Sequence, residues 1–244
     1  MLTRLPALVL LFSVLVSSNA SAALSLDRMI VYFDADKQPR QDIVVSNPDK
    51  ETLYLQTEVY EVHNPGSKNE ERIKISDPSK LKLLTTPNKA IIPANGRKTV
   101  RLVSLEKPTN EELVYRVTFK PVVGDLEASQ TAIKLLIAYQ ALVFIRPDNP
   151  KYQVTAKQDK TRLVFHNDGN INAVLRNGQY CTTQKNDSCK PLNKTTRLYA
   201  GQNWSIDIPE EAIRIRYGLF DGAFEKTQDF AVKSTKHTRE TPTG

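Results

Sequence analysis

The sequence predicts an all-β chain built as two β-sandwich domains in series. Three observations lead there. Short apolar runs with period-2 alternation recur at roughly 8–12-residue spacing, each closed by Pro, Gly, Asn or Asp, which is the cadence of sandwich strands and turns. No stretch sustains the 3.6-residue period of a long amphipathic helix. The segment Arg146-Pro147-Asp148-Asn149-Pro150 carries two prolines within four residues and divides the chain into two parts, each of sandwich size.

The first residues read as an export signal. Arg4 supplies positive charge, Leu8 to Val16 is a short apolar core, and Ala20-Ser21-Ala22 fits a small-x-small cleavage site. The run is too short to span a bilayer, and no later stretch reaches about 18 apolar residues, so no membrane insertion is expected. The predicted organisation is therefore residues 1–22 as signal peptide, 23–146 as the first sandwich and 147–244 as the second. Thr235 to Gly244 is a polar tail expected to fray.

Strands are predicted at Ser25–Phe33, Arg40–Ser46 and Leu53–Val62. The polar loop His63–Glu71 follows. Leu83-Leu84, then Ile91-Ile92 ahead of the Pro93–Gly96 turn, lead into strands at Thr99–Leu105 and Leu113–Lys120, with Pro121–Gln130 as a loop. Past the boundary, strands are predicted at Tyr152–Ala156, Arg162–Asn167, Ile171–Tyr180, Thr196–Tyr199, Trp204–Ile208 and Ile213–Phe220.

The stretch Ile133 to Ile145 (IKLLIAYQALVFI) stands apart. Ile133, Leu135, Ile137, Tyr139, Ala141, Val143 and Ile145 alternate onto one face, and the other face is also mostly apolar. Such a strand is either buried on both sides within the first sandwich or kept for a partner.

Composition excludes several functions. The net charge of +7 is interspersed, with no dense Lys/Arg block beside stacking aromatics, so nucleic acid is not the expected partner. There is no glycine-rich phosphate loop, HExxH or GxSxG, and no serine or cysteine with a recognisable base, so no catalytic residue is assigned. His63, His166 and His237 are scattered, so neither metal nor cofactor is expected. Cys181 and Cys189 are the two cysteines of an exported chain and are expected to form a disulfide at a hairpin tip.

Several stretches in order resemble the periplasmic chaperones of the chaperone–usher pilus pathway: SLDRMIVYF, TTPNKAIIPANGRKTVRL, VYRVTF, a variable loop, the alternating strand, then Arg146-Pro147. Tyr115-Arg116-Val117, Asn167-Asp168-Gly169-Asn170 and the cysteine pair resemble the alternate (class 5, alpha-type) fimbrial chaperones in particular. The resemblance covers the whole mature chain. It implies two immunoglobulin-like sandwiches in an L-shaped or boomerang arrangement, and a periplasmic location. It also implies that the chain binds, folds and caps pilins and an adhesin by donor-strand complementation, then delivers them to an outer-membrane usher.

The resemblance assigns roles residue by residue. Ile133, Leu135, Ile137 and Tyr139 would enter the pilin groove. The family's two carboxylate-gripping basic positions fall here on Ile30 and Leu142, which cannot bind a carboxylate. Arg116 and Arg101, each in mid-strand between apolar residues, are candidates to replace them in the cleft, and either is otherwise an ordinary surface arginine. Arg146 would set the domain angle by ion-pairing with Glu111, Glu112 or Asp221. Thr86 and Pro87 match an usher-facing surface. A self-capped dimer is a further possibility. The alternatives are a secreted β-sandwich pilus subunit or adhesin, which needs a free N-terminal extension, and a carbohydrate-binding protein, which needs exposed aromatics where Trp204 stands alone.

Overall fold

The computed structural model describes residues 24–106, 109–122 and 136–233. Ten strands form the first sandwich: β1 (Ser25–Leu26), β2 (Ile30–Phe33), β3 (Arg40–Ser46), β4 (Leu53–His63), β5 (Glu71–Lys74), β6 (Leu83–Thr86), β7 (Lys89–Ile92), β8 (Arg97–Ser104), β9 (Leu113–Val122) and β10 (Tyr139–Ile145). One sheet has the order β1-β3-β8-β6, and the other β2-β10-β9-β4-β5 with β7 also on β4. All pairs are antiparallel except β2 with β10.

Alternation places one side chain in two between these sheets. Val31, Phe33, Ile43, Val45, Leu55, Val100, Leu102, Tyr115, Val117, Phe119, Ala141, Val143 and Ile145 are buried in one core. Burial of each large apolar side chain is worth about 1.5–3 kcal/mol, which is the main source of cohesion here.

The expected first strand is two strands. β1 pairs with β3, then the chain crosses to the other sheet as β2 beside β10. Asp27 covers the crossing, its side chain accepting the Val44 N–H at 2.8 Å while its own N–H reaches the Val44 carbonyl at 3.1 Å. Residues 25–33 are thereby woven into both sheets.

The long apolar stretch is also shorter as a ladder than its alternation suggests. β10 begins at Tyr139, paired with Phe119, and residues 136–138 carry no ladder. Continuing the register by two residues would set Ile137 opposite Pro121, which has no N–H to give, and the ladder stops short of it. Ile133 and Leu135 lie outside the described residues.

The second sandwich holds β11 (Val154–Asp159), β12 (Arg162–Asn167), β13 (Ala173–Cys181), β14 (Cys189–Pro191), β15 (Thr196–Leu198), β16 (Asn203–Asp207), β17 (Arg214–Phe220) and β18 (Glu225–Ala231). Its sheets are β11-β12-β16 and β14-β13-β17-β18, with β15 on β13. Phe165 is the centre of the core, stacked on Trp204 at 5.4 Å and edge-on to Tyr217 at 5.4 Å and Phe230 at 5.1 Å. Trp204 thus packs on the core, as its strand pattern predicted. A third cluster, Val62, Val114, Phe144 and Tyr199 with Tyr32 and Leu142 against it, joins the sandwiches.

Candidate functional site

Among the described residues, β10 has one incomplete edge. On one side β9 pairs with all of Tyr139–Ile145, whereas on the other β2 pairs only with Leu142–Ile145. Leu142 donates its N–H to the Met29 carbonyl at 2.8 Å, so by alternation Gln140 turns its N–H and C=O groups to the same side, beyond the end of β2. Side chains beside this edge are apolar and open to solvent. Ile137 is 46% exposed, and Met29 and Ile30 are each 42% exposed. An open edge with exposed apolar side chains is a template for an added strand. Tyr139 is half-buried against the core, whereas Ala141, Val143 and Ile145 in the same row are buried. The row therefore runs out of the core and onto the surface.

Ile30 and Leu142 stand side by side in the β2–β10 register, and Arg116 lies directly opposite Leu142 on β9. Arg116 faces away from the core, between buried Tyr115 and Val117, towards the face that meets the second sandwich. Its guanidinium lies 3.5 Å from Glu70 and 3.5 Å from the Gln140 amide oxygen. Arg72 reaches the same amide oxygen at 3.5 Å and Glu70 at 2.8 Å. Burial pushes the Glu70 carboxyl up, but the Gly66 N–H, Arg72 and Arg116 outweigh it and hold the group below its ordinary range. Two guanidinium groups thus converge beside β10, with one carboxylate between them.

Arg101 does not join them. It is on β8, in the other sheet, and forms a two-point pair with Asp42 at 2.9 and 3.1 Å. The two arginines lie on opposite outer faces of the sandwich, which corrects the expectation of a shared cleft. The reason is topological: both sit between core-facing neighbours, but their strands belong to different sheets.

The joint is organised around Arg146, which is 8% exposed. Its carboxylate partner is Asp34, at 3.0 Å. It also donates to the backbone carbonyl of Asp221 and lies 4.7 Å over the Tyr32 ring. The expected side-chain pairs with Asp221, Glu111 and Glu112 are therefore replaced. The Asp221 carboxylate is turned into its own hairpin, accepting the Ala223 and Phe224 N–H groups at 2.8 Å each. Glu111 stands on the rim of a groove of about 420 Å³ between the sandwiches, with Asn69 and Gln202. Glu112 bridges the joint differently, accepting the Asn172 backbone N–H at 2.9 Å and its amide at 2.8 Å. Burial pushes the Glu112 carboxyl up, against the pull of those two donors and of Arg146 and Arg197.

Asp34, Tyr32, Arg197 and Asn172 at the joint, and Gln140 and Arg72 beside β10, make contacts that sequence reasoning missed. Arg197 donates to Asn172 and, at 3.3 Å, to the Tyr32 hydroxyl, and lies 4.9 Å over Phe144.

Thr86 is exposed at the end of β6, opposite Arg101, and Pro87 follows it through a cis peptide bond. Cys181 and Cys189 are directly paired in β13–β14 and form a disulfide. Among the described residues no group of three or more His, Cys, Asp or Glu side chains is placed to hold a metal ion, and no helix is long and apolar enough to cross a membrane.

Residues 23–151 match the family model of the pili and flagellar-assembly chaperone, PapD N-terminal domain. The chain is 28% identical to a CS1 fimbrial subunit of Escherichia coli over 177 residues, 68% of this chain and 73% of that one. It is 29% identical to a CFA/I fimbrial subunit of Escherichia coli over 193 residues, 75% and 80% of the two chains. Among solved structures, the class 5 fimbriae chaperone CfaA superposes with a TM-score of 0.68 at 21% identity, over 85% of this chain and 98% of that one. A chaperone–tip adhesin complex of CFA/I fimbriae biogenesis gives 0.64 at 22% identity, over 86% and 98%.

Proposed function

The chain belongs to the pili and flagellar-assembly chaperone family, and from that premise we propose that it captures pilins by lending them the open edge of β10. The chain is a pilus-assembly chaperone of two β-sandwiches; the mode of capture and the residues are the proposal. An incomplete pilin sandwich exposes apolar core and unpaired strand edges, which aggregate unless covered. The carrying observation is the coincidence at one place of unpaired β10 backbone and exposed Ile137, in the row that Val143 and Ile145 anchor in the core. Ile133, Leu135, Ile137 and Tyr139 are the proposed donor side chains. Three aliphatic insertions offer roughly 5–9 kcal/mol before ordering costs, enough to hold a pilin while leaving release accessible.

Arg116 is the proposed anchor for an anionic chain end, with Arg72 rather than Arg101 as its companion, because both reach Gln140 beside the donor edge. Planar guanidinium pairs suit a carboxylate. The proposal extends to export through a cleaved signal at residues 1–22, a domain boundary at Arg146-Pro147, pilin and tip-adhesin partners, and an usher contact at Thr86 and Pro87. Without a pilin, two open edges are free to cap one another as a dimer.

The test is co-production in a bacterial periplasm with a candidate pilin. A soluble one-to-one complex is expected from the unaltered chain and from Arg101→Ala. It is expected to be lost in Leu135→Asp/Ile137→Asp and weakened in Arg116→Ala, with all variants folded. Full capture by the donor-strand double variant would remove the proposal.

A further inference from the structure

The joint carries two contacts that its ion pairs do not explain. Tyr32 of the first sandwich rests on Gly222 of the second, where an added Cβ would stand 2.4 Å from the ring. Tyr199 of the second sandwich rests on Gly66 of the first, where an added Cβ would stand 2.6 Å from the ring. Between the two tyrosines lies Phe144, 5.1 Å from Tyr32 and 6.3 Å from Tyr199 by ring centroids. A row of three rings therefore crosses the joint, and each end abuts a glycine of the opposite sandwich. The glycines have φ of +71° at Gly66 and +107° at Gly222, a region other residues enter only with strain.

We propose that Tyr32 with Gly222, and Tyr199 with Gly66, are positioning pairs that hold the sandwiches at one angle before any pilin is bound. Two reciprocal contacts at opposite ends of one row oppose a hinge in either sense: opening one end drives the ring at the other into backbone. Polar bonds pin both ends. Arg197 donates to the Tyr32 hydroxyl at 3.3 Å, and Gln202 beside Tyr199 donates to the Pro65 carbonyl at 2.6 Å. Joints between domains of one chain are mobile by default, so a ring seated on bare backbone at both ends is a specific restraint. The outer face of β9 and β10, with Arg116 and the open edge, is thereby presented in a fixed relation to the second sandwich.

The test reads the angle in the free chain by electron paramagnetic resonance between labels at Lys98→Cys and Lys157→Cys, on strands of the two sandwiches. Gly222→Ala forces the ring back by about 1 Å, from 2.4 Å to the 3.4 Å where ordinary contact begins. Gly222→Ala, Gly66→Ala and Tyr199→Leu are each expected to shift or broaden the distance by about 2 Å or more, as packed joints amplify small displacements. Gly201→Ala is the control: it carries the same kind of positive φ, +72°, but a Cβ there meets nothing within 4 Å, so the distance should stay. An unchanged distance in Gly222→Ala and Tyr199→Leu overturns the restraint. The positioning role rests on the chaperone reading, and there the first three variants should lose about tenfold in pilin capture while Gly201→Ala keeps it. Full capture at an altered distance overturns that role. Failure of the unaltered chain to capture any pilin counts against the chaperone reading alone, since the distance decides the restraint.

Discussion

Replacing Arg146 should loosen the joint, and the structure says which of its neighbours share the effect. Arg146→Ala removes a charge-assisted hydrogen bond to Asp34, worth about 1.5–3 kcal/mol, and strands the Asp221 carbonyl at a cost of about 1–3 kcal/mol. It also removes the cation over Tyr32, worth about 0.5–2 kcal/mol. These contributions overlap, and Asp34 keeps Lys37 at 2.6 Å, so the net loss is set at about 3–5 kcal/mol, the range for breaking a buried pair. Asp34→Asn should cost about 1–2 kcal/mol. Asp221→Asn should cost under about 0.5 kcal/mol, because Asp221 serves Arg146 through its backbone and an amide oxygen still accepts the hairpin N–H groups. Calorimetry should resolve one coupled transition into two in Arg146→Ala, while urea unfolding followed by the single tryptophan, Trp204, reports the second sandwich separately. An Asp221→Asn variant as damaged as Asp34→Asn, or an Arg146→Ala loss below about 1 kcal/mol, would refute the reasoning.

The Glu112 carboxyl has a raised folded pKa, so between its ordinary 4.5 and that raised value the folded chain binds more protons than the unfolded one, and stability falls as pH rises through that window. Glu112→Gln should flatten this segment of the stability–pH curve, as measured by urea midpoints across it. Ile137→Asp should leave thermal stability within about 0.5 kcal/mol because nearly half the residue is exposed and it lies outside the β10 ladder, while Ile145→Ala, in the same row but buried, should cost about 2–5 kcal/mol. Reducing the Cys181–Cys189 bridge, which closes a short loop at sequence separation 8, should lower second-sandwich stability by about 2–3 kcal/mol, read by Trp204 fluorescence.

The all-β class was legible because alternation is a local signal: Leu53–Val62 and Leu113–Lys120 write their buried faces into every second residue. The same signal could not divide Ile133–Ile145 into core and edge, because a side chain kept for a foreign groove and one kept for the chain's own core are both apolar. What divides them is the end of β2 on one side and Pro121 on the other, and neither belongs to the stretch. Arg101 and Arg116 have the same local pattern, apolar on both sides, and differ only in the sheet their strands join. The joint was the least legible part. Tyr32 meets Arg197 across 165 residues, and polar groups that meet across such distances leave no period to read. One signal was available, since Asp34 directly follows β2 and Arg146 directly follows β10, and two strands in parallel register bring their ends together. Parallel pairing of β2 with the last strand of this sandwich therefore implies the Asp34–Arg146 contact. β10, whose open edge is the proposed pilin site, is then held one residue past its other end by the Asp34–Arg146 pair, and through Arg146 by the Asp221 carbonyl of the second sandwich.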